Sequence, residues 1–518
     1  MTQEWEISDE CATPAQALEE HGLDGLTGTV SQMEPEQLNP EGLLELHRRL
    51  RRRALERADR AYGLVLIWLV VSTNFDRLAA QARRDTDTTR LVNKGLQTVS
   101  VQLPSGCEVP LEVTYLLEKS RRRAGRPKNH GNRGETGAGC YPALEAMGVD
   151  SHRRLCPLTE EAIMRTGTAC DNFRTGWKMA KQFGVEMSWK AYWSRFCRLG
   201  GDVRDHHDQW LETEDGPPLV EASDWKGRRV VIAADGGRTR LRRNYNGRPQ
   251  ANGWHRFDAE WKEPKLVVIY AIDNNGEPLD EPRPIIDGTF GDADTCFERL
   301  ERTLTALEIW EADEIAFLGD GAPWIWNRAR PMLQRLGVKA ESIQEGIDYY
   351  HALSTLCEIS EMPDWSQPVR VRWRLRAKDA LKAGDIDEVV EMIDELAQGS
   401  DADEAVDKKS YFEDNAGRMQ YQKRRQANLP EGSGAIESAI RRVVNLRMKS
   451  NAKYWKEDHA EAMLTLRSHL KTNRLDRLLR WWRRRRSRWW TAADQRRIRT
   501  SSRRRFQSYN PDFTRNVA

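Results

Sequence analysis

Arg229-Val230-Val231-Ile232-Ala233-Ala234-Asp235-Gly236-Gly237 is a short apolar run led by an arginine and stopped by an aspartate and two glycines. A run this short suits a buried strand better than a helix. Glycine lets the backbone turn sharply after it, so the strand delivers a carboxylate to its mouth. Working outward, Glu314-Ile315-Ala316-Phe317-Leu318-Gly319-Asp320-Gly321-Ala322 repeats the pattern. Between the two, strands are expected at 266–272 and 283–289 and a helix at 295–307; beyond them a helix at 324–336 and a strand at 340–346. The order is β-β-β-α-β-α-β-α, that of an α/β domain.

A third carboxylate follows in Glu431-Gly432-Ser433-Gly434-Ala435-Ile436-Glu437. Ser433 can cap a helix whose apolar residues Ile436, Ile440, Val443 and Val444 face inward, with Glu437 in its first turn. Singly, each acid has an ordinary explanation: Asp before Gly makes a turn, and Glu437 can pair with Arg441. Jointly, three carboxylates on separate elements suit Mg²⁺, which takes one or two protein carboxylates per ion and fills its shell with water and phosphate oxygens. Asp348-Tyr349-Tyr350-His351 places Asp348 and His351 on one side of a helix start, where His351 either contacts a phosphate or is a satisfied structural histidine.

The stretches Asp235-Gly236-Gly237-Arg238, Gly319-Asp320-Gly321-Ala322-Pro323-Trp324-Ile325, Asp348-Tyr349-Tyr350-His351 and Gly432-Ser433-Gly434-Ala435-Ile436-Glu437 resemble those of bacterial insertion-sequence DDE transposases of the ISKra type, related to the Mutator-like group. The resemblance runs over about residues 141–470. It implies an RNase H-like core with a mixed sheet, first and fourth strands adjacent, and Asp235, Asp320 and Glu437 as ligands of two Mg²⁺ ions that Mn²⁺ could replace. It also implies Mg²⁺-dependent cleavage at transposon ends and strand transfer into target DNA, with His351 in the catalytic set and double-stranded DNA as partner. A homo-oligomer assembled on DNA is expected because two ends must be joined. Two other readings share these motifs: a domesticated transposase that binds DNA without cutting it, and a structure-selective nuclease of the same fold.

The flanks carry charge asymmetrically. Residues 1–46 are acidic, without Lys or Arg, and expected to be weakly ordered; residues 47–140 make a helical and hairpin region ending in a basic linker. Within it 47–60 is a basic helix, either phosphate-facing or simply solvated, followed by the apolar run 63–71, read as a buried helix too short to span a bilayer. Alternation around Pro104-Ser105-Gly106 predicts a hairpin over 98–115. Gly125-Arg126-Pro127 is either an AT-hook-like minor-groove contact or plain basic linker. Residues 141–225 hold a helix-turn-helix candidate or a generic helical hairpin, in which Ala180 and Gly184 allow close crossing and Lys190 and Arg195 lie on the second helix.

The core is expected at 226–360 and, for its last helices, 431–470, interrupted by a helical insertion at 361–430. There Trp373 either stacks on an unpaired base or is core. Arg238, Arg441 and Arg447 are placed beside DNA, and the Arg/Trp-rich tail 471–518 is read as nonspecific DNA affinity or a solubilising surface. Eight cysteines without a Cys-x-x-Cys pair indicate reduced thiols and no zinc site. The polar, acidic start lacks the features of a secretory signal, and a cytoplasmic, nucleoid-associated protein without membrane contact is expected.

Overall fold

The computed structural model describes residues 26–27, 40–86, 91–118, 139–212, 221–246, 256–397, 402–451 and 453–500. Arg126 and the tail beyond 500 lie outside them, as do most of residues 1–46. The described chain forms two compact units, one holding residues up to Gly167 with Phe173–Arg195 and the segment from Arg483, the other Thr168–Asn172 and Phe196–Trp482.

In the first unit the expected hairpin is present as antiparallel strands β1 (Leu91–Gln102) and β2 (Glu108–Glu118), with the two-residue β3 (Gly139–Cys140) paired to the end of β2. The basic and apolar segments that precede it form one helix, Pro40–Ser72, which packs on β2. Only one helical face can meet that hairpin, so Leu66, Ile67 and Val70 are buried while Leu64, Val65 and Trp68 are exposed; the apolar run is not the wholly buried helix the sequence predicts.

The tail's tryptophans are not surface groups. Trp489 and Trp490 belong to this unit's core, with Trp490 edge-on to Phe75 at 5.5 Å between ring centroids. Arg486 pairs with the fully buried Glu160 at 2.7 Å and Arg483 with Glu161 at 2.6 Å. In the second unit Trp481 and Trp482 are buried too. Large rings gain more from burial than from exposure, so the four tryptophans pack inside the two units, while the neighbouring Arg480, Arg484 and Arg488 stay exposed.

The second unit is built on a five-stranded sheet. β4 (Arg229–Gly236) leads into a separate hairpin of β5 (Thr239–Asn246) and β6 (Arg256–Lys262), followed by β7 (Lys265–Ile272), β8 (Ile285–Thr289), β9 (Glu314–Gly319) and β10 (Ile343–Ile347). The sheet order is β10-β9-β4-β7-β8: β10 and β9 run parallel to β4, and β7 antiparallel to it. The fold is therefore α/β with a mixed sheet, and the first and fourth predicted strands are neighbours. The third strand starts at Ile285 and the fifth at Ile343, each slightly later than the sequence suggests.

Register fixes the functional edge. β4 and β9 pair Arg229 with Glu314 and Ala233 with Leu318, so carrying the same offset two residues further sets Asp235 level with Asp320. On the other side Ile347 pairs with Gly319, and the Asp348 N–H donates to the Gly319 carbonyl at 2.9 Å. Three parallel strands thus end on aspartates in one row, the edge at which open α/β sheets bind ligands.

Between 361 and 430 the chain is helical, at Gln367–Ala383, Ile386–Ala397, Ala402–Asn415 and Tyr421–Gln426. Leu381, Val389, Ile393 and Phe412 from these helices share one continuous core with Ile232 and Phe317 of the sheet. The insertion is therefore fused to the sheet's own core.

Candidate active site

Asp235 is half-buried at the end of β4, its Oδ1 accepting the Gly236 N–H at 2.6 Å. Burial pushes its carboxyl up to about 6; repulsion from Asp320 and Glu263 adds to the rise, while the Gly236 N–H and His351 oppose it. The four side chains therefore share one electrostatic environment. Asp320 turns its Oδ1 onto the Ala322 N–H at 2.9 Å, holding the tight turn after β9.

Glu263, just before β7, has no role assigned from the sequence. A Cβ on Gly236 would lie 2.4 Å from a Glu263 carboxylate oxygen, so the glycine is what lets this second acid approach.

Asp348 and His351 do not act side by side as their spacing suggests. Asp348 is buried and N-caps the helix Tyr349–Ile359, its Oδ1 accepting the His351 N–H at 2.8 Å. Its Oδ2 accepts from both the N–H and the hydroxyl of Ser433. Ser433 consequently gives its hydroxyl to Asp348 and not to the first turn of its own helix, Gly434–Ile440. One carboxylate ties the His351 helix start to the Glu437 helix start. His351 itself is exposed.

The Glu437 helix packs across β4 and β7 with Ile436, Ile440, Val443 and Val444 buried, as their spacing predicts, and continues into a π-helical turn at Arg441–Asn445. Glu437 is exposed on it and is not among the largest influences on the Asp235 carboxyl. Asp320, His351 and Glu263 thus all lie within electrostatic reach of Asp235. Among the described residues no three His, Cys, Asp or Glu side chains form a group able to hold one ion. Two carboxylates at matched strand ends still fit Mg²⁺, a hard cation that needs only one or two of them.

The insertion contributes Tyr411, whose ring covers Gly321 so closely that a Cβ there would lie 2.5 Å from Cε2. Burial and the nearby Asp320 and Asp348 hold the Tyr411 phenol above its ordinary range, and its hydroxyl is buried without a hydrogen-bond partner. Gly321 has φ +94, a conformation that L side chains rarely adopt. Gly321→Ala is accordingly expected to cost about 2 kcal/mol or more in urea unfolding, from combined strain and clash; an unchanged midpoint would show that the turn relaxes freely.

A second expectation concerns pH. The folded Asp235 carboxyl, at about 6, lies above its unfolded value, so its contribution is full at low pH and lost as pH rises through about 6. Asp235→Asn, neutral throughout, should therefore raise the thermal midpoint in EDTA at pH 7.5, with the gain vanishing near pH 4. A gain independent of pH would trace to packing instead.

The residues expected to meet DNA divide. Lys190 and Arg238 are exposed; Arg195 is half-buried and bonded to Gln102. The helices Phe173–Gln182 and Trp189–Glu212 exist, but the close-packed glycine is Gly176, where a Cβ would meet the Tyr192 hydroxyl at 2.7 Å; Gly184, at φ +81, terminates the first helix. Arg441 is exposed, whereas Arg447 is 2 % exposed with its guanidinium 5.2 Å from the Trp455 ring centroid, which removes it from any DNA-facing surface. Trp373 is half-buried against Trp365 and the shared core, a packing role. The seven described cysteines are free thiols, and no helix among the described residues is long and apolar enough to cross a membrane.

Compared with known proteins, the chain matches no family model and no curated sequence.

Proposed function

We propose that the chain is a DDE-type DNA transposase of the insertion-sequence kind, with an RNase H-like core that cleaves DNA at transposon ends and transfers the strand into target DNA. The observation that carries this reading is the matched placement of Asp235 and Asp320 at the ends of adjacent parallel strands, with Asp235 already repelled by its neighbour. The motif resemblance and the exposed Arg238, three residues after Asp235, add to it.

Asp235 and Asp320 would hold Mg²⁺, with Glu437 or Glu263 as the third carboxylate. The chemistry a bound Mg²⁺ supplies here is charge neutralisation at the phosphodiester and activation of the attacking oxygen. The chain's own residues position the rest: His351 offers a donor to a phosphate oxygen at the same mouth, and Asp348 holds its helix against that of Glu437. Double-stranded DNA is the substrate, a homo-oligomer the working form and the cytoplasm the site of action.

The direct test is cleavage of plasmid bearing the DNA that flanks this gene. Nicking that appears with Mg²⁺ or Mn²⁺ and disappears in EDTA is expected. A mobility shift without cutting under every metal condition would leave only a DNA-binding protein, and cutting of branched DNA irrespective of sequence would mark a structure-selective nuclease.

A further inference from the structure

The hairpin β5–β6 has a job the catalytic reading does not assign. β5 pairs with β6 through Thr239–Lys262, Arg240–Trp261, Leu241–Glu260 and Arg242–Ala259. Directly opposed residues share a face and alternate along each strand, so Arg238, Arg240 and Arg242 stand on the same side as Trp261 and Phe257.

A third strand-like segment joins at the other edge. The Arg242 N–H donates to the Trp455 carbonyl at 2.8 Å and the Trp455 N–H to the Arg240 carbonyl at 3.0 Å. One face is thereby glued down: Thr239 and Leu241 are fully buried and Trp455 nearly so.

On the opposite face Arg238 and Trp261 are exposed and Arg240, Arg242, Phe257 and Tyr454 half-buried. Arg238 lies 4.7 Å from the Trp261 ring centroid, Arg240 lies 5.2 Å from Trp261 and 4.7 Å from Tyr454, Tyr454 is 5.2 Å from Phe257, and Arg242 is 5.0 Å from Phe257. The result is an alternating ladder of guanidinium planes and rings. Trp261 is 46 % exposed on it. Within β5 and β6 no carboxylate stands on this face; Glu263, one residue past β6 and opposite Arg238 in the same register, pairs with Lys265, and among the described residues no acid pairs with Arg238 or Arg240. By contrast Arg243, on the other face, is neutralised by Glu260 and Glu457. The ladder begins three residues after Asp235.

We infer that this face binds an unpaired DNA strand next to the phosphodiester that is cut. Guanidinium charge follows the phosphates, and exposed π-faces accept bases irrespective of sequence. A closed duplex fits less well. Its bases offer no free π-face along its length, and although a two-stranded ribbon can enter a major groove about 12 Å wide, this ribbon is widened by the Tyr454–Trp455 segment and packed down along one side. The inference rests on the reading that the chain acts on DNA and extends it to a strand opened at the cut.

The test uses the full chain in EDTA, where binding is read without cleavage, by fluorescence anisotropy with a labelled single-stranded oligonucleotide and its duplex. Trp261→Ala should weaken single-strand binding about tenfold, the stacking of one base, and duplex binding less than about threefold. Trp261→Phe keeps a ring and should retain most of the affinity, which separates loss of stacking from loss of folding. Equal losses on both DNAs, or a Phe variant as weak as the Ala variant, would overturn the inference. Because no metal is present, the result is independent of nicking: absence of Mg²⁺-dependent cleavage sinks the catalytic proposal alone, whereas absence of the single-strand effect sinks this one.

Discussion

Asp235→Asn and Asp320→Asn are each expected to lower Mg²⁺-dependent DNA cleavage by about 10³-fold or more, several kcal/mol of transition-state stabilisation, while DNA binding without metal changes little. The two carboxylates stand at matched positions on adjacent strands, and among the described residues neither forms an ion pair. Each instead holds only a local turn through a neighbouring N–H, which an asparagine oxygen can still accept. Folding should therefore survive and metal affinity should not. Gel-based nicking rates, paired with anisotropy for binding, check this. A variant that cuts at the wild-type rate would remove that aspartate from the centre. Glu437→Gln and Glu263→Gln, run alongside, decide the third ligand: the larger loss identifies it, since the structure sets Glu263 near Asp235 and leaves Glu437 exposed on the next helix.

The strand ends were legible because a short apolar run broken by Asp-Gly has few other readings, and the Glu437 helix because Ile436, Ile440, Val443 and Val444 recur at helical spacing. What sequence periodicity could not reach is contact between distant segments. Asp348 and Ser433 meet across 85 positions, and Tyr411 comes from the insertion to cover Gly321. The β5–β6 hairpin was invisible for a different reason: among its described residues Leu241 is the only apolar one fully buried, and arginines occupy alternate positions where apolar residues would advertise a strand. Reading Trp481, Trp482, Trp489 and Trp490 as surface groups failed because the surrounding arginines masked their burial. Charge in a sequence reports composition, whereas burial depends on which acids, such as Glu160 and Glu161, fold back to meet it.

Asp348→Ala should be among the most destabilising single changes in the second unit, about 3–5 kcal/mol. The carboxylate is 2 % exposed and accepts three hydrogen bonds, from the His351 N–H and from the Ser433 N–H and hydroxyl. Losing an N-cap costs about 0.5–2 kcal/mol, and each donor left buried without a partner about 1–3 kcal/mol, with part recovered by relaxation. Ser433→Ala removes one donor and leaves the carboxylate its other two, so it should cost only about 1 kcal/mol. If the two residues form one clasp, the double variant should be no worse than Asp348→Ala alone, a coupling that urea unfolding of all four proteins measures directly. Strictly additive losses would dissolve the clasp. Because it fixes the His351 and Glu437 helix starts relative to each other, cleavage by the remaining folded Asp348→Ala protein should fall further than binding does. A variant equally impaired in both would show that Asp348 holds the fold without holding the site.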